Sequence, residues 1–580
     1  MLCTPGFWED AYQALKEDAL SGATTARRVL LFVATSSCDS IATLQILEHV
    51  LNKDNVPYGI YPVANESELV QRSEEMLQDD CERSVICIGC GANCDIRSTL
   101  SCGPGVRVYV FDSHRPLNMK NAQKDNSQVL VMCEDGEVED EGLGNLLDDE
   151  NNASSSSSED DDSSDESDED EDDVDEEARH QKRAKRQRRE RRKEYNARGA
   201  SYSQASGCIA YDFASHLNKD DVSCLWKAIV SLTDHYIHQR LTHESYMRSV
   251  VEYERKIGMT MDNHPPASSS VTNSAGRTKR IQYKEDCHLV MLQHWSLADA
   301  LFNSPYVATR LRTWKESGKE KIELMLAKMG FPLVECQQHW THMSPKLKQK
   351  LTSKLQECAP QFGLVNFQFA SFQKEDGYAS TSSSDMVHAV TALLEVGSIG
   401  SFNSESKGEG EGEDRQTNDS GVEAFWAAYE SLTGKRKDLV QKGLDLAMQV
   451  QKVLCSVAGA QLNNRRVMTC GKFRYLNLED IGGESQHQGM FHHPLVLSRL
   501  GFFLQDAHVH MGRSRKPMLV VGPPSSNGDV MVVLINIIKG IKGIIKGIIG
   551  AEEYGFESNV IKLPHLDVQQ FLDELLINLY

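Results

Sequence analysis

Apolar runs typical of β-strands alternate with amphipathic stretches through the first 135 residues, and this alternation constrains the fold more than any other feature. Helices are predicted at 41–51 and 66–77. Strands are predicted at 28–34, 58–63, 83–88, 106–111 and 128–132. Strands that alternate with helices are typical of a parallel sheet covered on both faces. The sequence therefore predicts a doubly wound α/β domain over residues 1–134.

Polar residues directly follow three of these strands. Asp39 or Ser40 is expected to lie near the N-cap of the helix after the first strand, a Gly-rich turn at 89–93 follows the third, and Asp112-Ser113-His114 follows the fourth. Ligands of open α/β sheets bind outside the carboxyl ends of the strands. Carboxylate and imidazole groups bind metals and transfer protons, so a ligand site is expected here. The triplet alone equally allows a structural role, with Asp112 capping a turn.

A charged insertion at 135–205 follows this domain. Residues 148–177 hold eighteen acidic residues and no Lys or Arg, and without them the chain has 66 acidic and 62 basic residues. The net charge of −22 therefore belongs mainly to one segment and argues neither for nor against nucleic-acid binding. The insertion has almost no large apolar residues, so it cannot bury a core and is predicted to be disordered.

Two kinds of regulatory signal lie in this insertion. Ser156, Ser163 and Ser167 each have an acidic residue three positions later, which suits an acidophilic kinase. A basic block is typical of a nuclear localisation signal, so a nuclear protein is expected, and a solvated helical charge run is the alternative. Its basic residues are Lys182, Arg183, Lys185, Arg186, Arg188, Arg189, Arg191, Arg192 and Lys193.

The rest of the chain is predicted to be helical first and mixed later. Helices at 206–250 complete the first domain, and Asp234 lies near the end of the strongest one, where an aspartate needs a partner or a surface position. A linker is expected at 251–284. A helical region follows at 285–400, including two helices between Asp286 and Gly330. After a linker at 401–420, residues 421–580 form a smaller α/β domain.

Four further features of the sequence bear on its chemistry and location. Cys87 and Cys90 have metal-ligand spacing, but Cys87 lies in an apolar strand and no second pair accompanies them, so buried thiols are favoured over a metal site. The fifteen cysteines are expected to be free thiols of a reducing compartment. Residues 537–550 suit a basic amphipathic helix, but their four glycines oppose it, so no function is assigned. No uncharged apolar run is long enough to span a membrane, and no secretory signal is evident, so no membrane partner is expected.

Several motifs in order along the chain carry a resemblance to a known family. They are V-L-L-F-V-A-T-S-S-C-D-S, C-G-A-N, V-F-D-S-H-R-P, A-I-V-S-L-T-D, Q-H-W-S-L and K-M-G-F-P-L-V-E-C-Q-Q. With the acidic-then-basic insertion, this order resembles the eukaryotic cell division control protein 45 family, in a plant-like form. The resemblance implies a replication factor that joins the MCM ring and the GINS complex into the replicative (CMG) helicase on origin chromatin. It also implies contact with single-stranded DNA.

That family is in turn related to the DHH phosphoesterases, which include the RecJ exonucleases. This relation implies a DHH-like first domain and a DHHA1-like last domain. Asp39, Asp112, His114 and Asp234 match parts of the two-manganese site, whereas Ser37, Gly89 and Ser113 stand where further ligands would be. Gly482-Gly483 is followed by Glu484, so the glycine-rich substrate motif is missing. The resemblance thus implies a vestigial site without cofactor, holding at most one weakly bound ion at Asp112 and His114.

Three functions follow as hypotheses. The leading one is a non-enzymatic scaffold subunit of the replicative helicase. An active manganese-dependent phosphoesterase is the second, and the replaced ligands argue against it. An acidic histone chaperone is the third, and it rests only on residues 148–177.

Overall fold

The protein, described here from a computed structural model, is a mixed α/β chain, which confirms the predicted fold class. The structure describes residues 1–20, 28–77, 83–123, 126–136, 198–263, 280–376, 379–396, 416–478, 485–525, 527–536 and 551–579, with scattered positions between 183 and 195.

Six strands form a wholly parallel sheet in the first domain. Alternate residues of its central strands face opposite sides, so that Leu31 and Val33 enter one apolar core while Leu30 and Phe32 enter another. A sheet that is apolar on both faces needs helices on both. The strand order is Leu2–Cys3, Val129–Met132, Val106–Phe111, Arg83–Ile88, Val29–Ala34 and Tyr58–Val63.

Helices cover both faces of this sheet. One face carries Trp8–Leu20, Cys38–Lys53, Ser206–His216 and Val222–Ile237. The other carries Glu66–Met76, Ile96–Thr99 and Met119–Ala122. The helix Cys38–Lys53 has Asp39 and Ser40 in its first turn, near its N-cap as predicted. Ser37 is the N-cap, because its Oγ accepts the N–H of Ser40 at 3.1 Å, while the carboxylate of Asp39 is used elsewhere.

The middle of the chain forms its own small core. Its helices are Leu297–Asn303, Pro305–Leu311, Glu316–Met329, Leu333–Gln337 and Pro345–Cys358. The predicted helix from Asp286 is wrong, since Asp286–Cys287 pairs as a strand with Gln368–Phe369 and the first helix begins only after its cap, Ser296. Within the predicted linker at 251–284, the helix His243–Asn263 continues past residue 251. The strand Arg280–Tyr283 also falls there, and it joins Phe372–Asp376 and Ala379–Ser382 in a three-stranded sheet.

A second six-stranded sheet builds the last domain, and this one is mixed. Phe473–Asn477 and Met518–Val521 are parallel, and the other neighbours are antiparallel. The helix Pro494–His510 packs on one face and Val568–Leu579 on the other. The strand order is Met468–Cys470, Phe473–Asn477, Met518–Val521, Asp529–Ile535, Val560–Pro564 and Glu552–Glu553.

One continuous apolar core joins the two α/β domains. The helix Ser383–Val396 packs against Gln416–Thr433 and Lys437–Asn463 on one side and against Val222–Ile237 on the other. Leu31 of the first sheet and Val520 of the second belong to the same cluster. None of the helices described is long and apolar enough to cross a bilayer. The fourteen cysteines within the described ranges are free thiols.

Candidate functional site

The four aspartates and histidines predicted from the sequence meet near the carboxyl ends of the first sheet. Asp39 lies in the first turn of the helix after the strand Val29–Ala34, and Asp112 and His114 follow the strand Val106–Phe111. Asp234 comes from the last turn of the helix Val222–Ile237. All three aspartates are at most 3% exposed, so each must find its partners inside the protein.

The carboxylate of Asp39 accepts hydrogen bonds from several donors of the protein itself. It accepts the backbone N–H groups of Ser206 at 3.1 Å and Gly207 at 2.9 Å. It also accepts the Ser231 hydroxyl at 2.5 Å and contacts Nε2 of His235 at 3.3 Å. Burial alone would raise the pKa of Asp39, but these hydrogen bonds and the nearby imidazole hold it well below its usual range.

Asp112 and His114 form a tight pair. Oδ1 of Asp112 lies 2.6 Å from Nδ1 of His114, and Oδ2 accepts the backbone N–H of Ala92 at 2.9 Å. Burial opposes both charges, yet the negative charges of Asp112 and Glu557 raise the pKa of His114 to about 10. The same pairing lowers the pKa of Asp112. The two carboxylates therefore favour the protonated, cationic form of the His114 imidazole.

Asp234 is paired in the same way, which settles its position as buried rather than on the surface. Its Oδ1 lies 3.0 Å from Nδ1 of His238, and its Oδ2 lies 3.5 Å from Nη1 of Arg240. Burial favours the neutral acid, but these two neighbours hold the pKa of Asp234 below its usual range. The aspartate therefore stays ionised against a guanidinium.

Sequence reasoning missed Glu557 and Arg240, which complete the network. Glu557 enters from the last domain, and its Oε1 lies 2.9 Å from Nη2 of Arg240. Its Oε2 lies 3.5 Å from Nε2 of His114 and also accepts the hydroxyl of Tyr202. The Tyr202 ring lies against the Arg240 guanidinium at 5.1 Å. No local signal marks Glu557, because its partners lie more than 300 residues away in the chain.

We call Asp39, Asp112, His114, Asp234, Arg240 and Glu557 the acid network. Its cations, Arg240 and His114, lie between its carboxylates, so the protein itself neutralises the charges that a two-metal site would leave for its ions. Burial would raise the pKa of Glu557, but Arg240 and His114 lower it far below its usual range. The lowered pKa values of its carboxyl groups favour their ionised forms, which pair with cations and N–H groups inside the protein.

The residues that depart from the phosphoesterase pattern, Gly89, Ser37 and Ser113, have structural roles of their own. Gly89 has φ +67°, and a Cβ placed on it would lie 2.0 Å from Oγ of Ser40. An aspartate at position 89 would therefore require the backbone and Ser40 to move. Ser37 caps a helix, and the buried Ser113 accepts the Ser203 N–H through its carbonyl at 2.9 Å.

Potential metal ligands converge elsewhere. Within the described ranges, the one group of three with ligand atoms inside 4.8 Å of one another is His49, Asp221 and Cys224. Asp221 is the N-cap of its helix there and accepts the Cys224 N–H at 2.7 Å. At the C-x-x-C pair, a hydrogen bond with Cys87 and burial raise the pKa of Cys90 well above its usual value, as expected for a neutral thiol.

A large cleft of about 1950 Å³ opens beside the acid network, between the two α/β domains. Seven basic and three acidic residues line it, and at least five of the basic ones are paired with carboxylates, whereas Arg310 makes no ion pair with the described residues. Aromatic rings line one wall. His288 stacks on Tyr306 at 4.7 Å and on Phe369 at 4.8 Å, and the Arg310 guanidinium covers Tyr306 at 3.8 Å. The basic residues are Lys120, Arg198, Arg240, Arg310, Arg499, Arg515 and Lys562.

Most of the predicted regulatory signals lie outside the described residues. This holds for Ser156, Ser163 and Ser167, for the acidic run 148–177 and for residues 537–550. Of the basic block, Arg183, Arg186 and Arg191 are described as exposed helical residues. The other six, Lys182, Lys185, Arg188, Arg189, Arg192 and Lys193, fall outside.

Fold and site together define a two-domain α/β protein whose charged side chains pair across the domain junction. Comparison with known proteins gives the family. The sequence model of the CDC45 family matches residues 29–193 and 174–543. The cell division control protein 45 homologue of Dictyostelium discoideum is 30% identical, covering 99% of this chain and 98% of its own. The human homologue is 30% identical, covering 88% and 87%. The chain belongs to the cell division control protein 45 family.

One solved structure has the same fold over the whole chain. The crystal structure of CDC45 from Entamoeba histolytica aligns over 99% of both chains with a TM-score of 0.67 and 20% identity. A RecJ exonuclease bound to manganese is a distant neighbour, with a TM-score of 0.42 and 10% identity. Family membership supports a role as a replication initiation factor.

Proposed function

We propose that this protein is a non-enzymatic scaffold subunit of the eukaryotic replicative DNA helicase. It acts in the nucleus, where it joins the MCM ring to the GINS complex at replication origins and on elongating forks. It binds single-stranded DNA in the cleft between its α/β domains and carries no cofactor.

The internal pairing of the acid network is the observation that carries this proposal. A hydrolytic two-metal site presents open carboxylates to its ions. Here Asp39, Asp112 and Asp234 are each satisfied by donors of the protein, and Arg240 and His114 supply the positive charge. An entering metal would have to displace those hydrogen bonds and lie beside two cations, which disfavours binding. The steric block at Gly89 acts in the same direction.

The cleft supports the single-stranded DNA part of the proposal. Proteins that hold single strands combine basic side chains along the backbone path with aromatic rings beside the bases. The cleft offers both at one place, where the Arg310 guanidinium covers the ring stack formed by Tyr306, His288 and Phe369.

The helical middle region supports the scaffold part. Its small core is separate from the main one, and it leaves apolar side chains in solvent. Leu324, Leu333 and Val334 are 53%, 42% and 70% exposed. Exposed apolar groups of this kind are typical of protein contact surfaces when they lie together.

A nuclease and binding assay tests the proposal. End-labelled single-stranded DNA is mixed with the full chain, with and without Mn²⁺, and run on native and denaturing gels. We expect a shifted, intact strand under both conditions. DNA shortening that disappears in Asp112→Asn would establish the active phosphoesterase instead.

A matched pair of variants tests the cleft. Arg310→Gln is expected to weaken the DNA shift, because it removes a cleft cation stacked on Tyr306. Arg436→Gln removes an exposed arginine paired with Asp438 outside the cleft and is expected to leave the shift unchanged. Equal loss in both would assign the shift to general charge attraction.

Co-elution tests the scaffold role. The chain, mixed with purified MCM and GINS subunits, is expected to elute from a sizing column in one complex with both. Independent elution of the three components would contradict the proposed role.

A further inference from the structure

A second cluster of charged groups lies in the last domain and contains no acid. Arg474 is on the strand Phe473–Asn477, on the face covered by the helix Pro494–His510. His508 lies in the last turn of that helix, and Arg513 follows in the turn that leads to the next strand. Nη1 of Arg513 lies 3.2 Å from Nδ1 of His508. We call Arg474, His508 and Arg513 the basic cluster.

The burial of this cluster is unusual for its charge. Arg474 and His508 are each 3% exposed, and buried arginines are normally paired with a carboxylate. In the described parts of the chain, no carboxylate lies within ion-pair distance of Arg474 or Arg513. Burial and the neighbouring Arg513 together lower the pKa of Arg474. The cluster therefore combines two positive charges with no counter-charge among the described residues.

The basic cluster has more buried hydrogen-bond donors than acceptors. An arginine can only donate, so Nδ1 of His508 is the acceptor of its contact with Arg513. Burial and the two arginines lower the pKa of His508 to about 4, so the ring is neutral at pH 7 and its hydrogen lies on Nε2. Nε2 of His508 and both Nε and Nη1 of Arg474 are buried without a partner in the described structure. All three unmet groups are donors.

Acceptors among the described residues do not account for this excess. Nη2 of Arg474 donates to the carbonyl of Ser514 at 2.9 Å, which satisfies one donor. The carboxyl end of the helix Pro494–His510 contributes about half a negative charge, against two full positive ones. A buried donor left without an acceptor is destabilising, so the three unmet donors call for a further acceptor.

We propose that Arg474, His508 and Arg513 form a binding site for a dianionic phosphate group, either free phosphate or the terminal phosphate of a monoester. Two arginines match the charge of a phosphate monoester, which is about −1.5 to −2 at pH 7. A phosphodiester or a carboxylate carries one charge and fewer acceptors. Phosphate also offers three oxygens that can accept hydrogen bonds from donors of Arg474, His508 and Arg513. Arg513 is the exposed member of the cluster.

Titration calorimetry on the full chain tests the site, with inorganic phosphate and O-phosphoserine as separate ligands and chloride at matched ionic strength as the blank. We expect saturable binding at one site per chain. Arg513→Gln, an exposed change, is expected to weaken it by roughly tenfold to a hundredfold, the equivalent of one charge-assisted hydrogen bond. Tighter binding of phosphoserine would identify an esterified group, and tighter binding of phosphate a free anion.

Arg436→Gln is the control, because Arg436 is exposed, pairs with Asp438 and does not line the cleft. Phosphate binding should survive it. Absence of saturable binding in the wild type, or equal weakening by Arg513→Gln and Arg436→Gln, would overturn the proposal. So would a single-stranded oligonucleotide without terminal phosphates that binds through Arg513 while phosphate does not, since the site would then be for diesters.

A stability measurement guards against misfolded variants. Arg474→Met replaces an unpaired buried charge with an apolar chain of similar length, so in phosphate-free buffer it should melt at or above the wild-type temperature. Added phosphate should raise the melting temperature of the wild type and leave that of Arg474→Met unchanged. An equal rise in both proteins would contradict the site.

Discussion

The acid network and the basic cluster both bury charged side chains, but only the acid network contains both signs of charge. In the acid network Glu557 contacts Arg240 at 2.9 Å and His114 at 3.5 Å, and every carboxylate has a cation or N–H group beside it. Among the described residues, Arg474 and His508 of the basic cluster keep three donors unmet and have no carboxylate beside them, whereas the one unmet donor of the acid network, Nε2 of His114, faces Glu557. A buried site with both signs of charge neutralises itself, whereas one with a single sign lacks a counter-charge.

Removal of Arg240 is expected to destabilise the acid network more than any other single change, and it tests this comparison most directly. Arg240→Ala leaves Glu557 and Asp234 short of a buried counter-charge, and we expect a loss of about 3–5 kcal/mol of stability. The measurement is the midpoint of urea unfolding. Arg436→Ala, at an exposed pair with Asp438, is the control and should leave the midpoint unchanged. Similar midpoints for both variants would show that the network contributes no more than a surface pair.

Neutralising Glu557 is expected to have the next largest effect. Glu557→Gln keeps the shape but removes the charge that faces Arg240 and His114, at a cost of about 1.5–3 kcal/mol. Because Glu557 joins the two domains, limited proteolysis should also cut the junction faster than in the wild type. Glu552→Gln is a control on an exposed edge strand. Unchanged proteolysis in Glu557→Gln would argue against a role in holding the domains together.

The pH dependence of stability sharpens the comparison. The pKa of His114 rises from 6.5 to about 10 on folding, so its contribution is complete below pH 6.5 and is lost as the pH climbs through 10. One such group changes the unfolding free energy by at most about 1.4 kcal/mol per pH unit. Melting temperatures between pH 6 and pH 10 should fall more steeply for the wild type than for His114→Gln. Parallel curves would show that His114 does not hold its proton in this way.

Tyr202 should give the smallest effect. Tyr202→Phe removes one hydrogen bond to Glu557 and retains the ring against Arg240, so a loss of about 0.5–1.5 kcal/mol is expected. Urea unfolding measures it. A loss as large as that of Arg240→Ala would mean that the hydroxyl, rather than the ion pairs, organises the network.

The sequence predicted the parts of this structure that depend on local pattern. Buried parallel strands are rich in apolar residues, so three strands of the first sheet were predictable from sequence. They are Val29–Ala34, Arg83–Ile88 and Val106–Phe111. The helix Trp8–Leu20 was missed although Trp8, Ala11, Tyr12 and Leu15 are buried at helical spacing. The short strands of the middle region, such as Asp286–Cys287, have too few residues to show a period.

Only part of the acid network could be predicted from the sequence. Asp39, Asp112 and His114 follow strands, so chain order alone indicates a common edge. Glu557 and Arg240 meet through tertiary contacts between distant segments, and no spacing rule links them. Arg474 lies in an ordinary strand pattern, and only its burial without a carboxylate shows that it is unusual.

The helix Ser383–Val396 packs on elements of both α/β domains, and this has a consequence for truncated forms of the protein. A chain that ended before it would leave the apolar faces of Val222–Ile237 and the first sheet open to water. The first half therefore cannot stand alone as a smaller protein. A premature stop codon between the first sheet and Ser383 should give a fragment that aggregates.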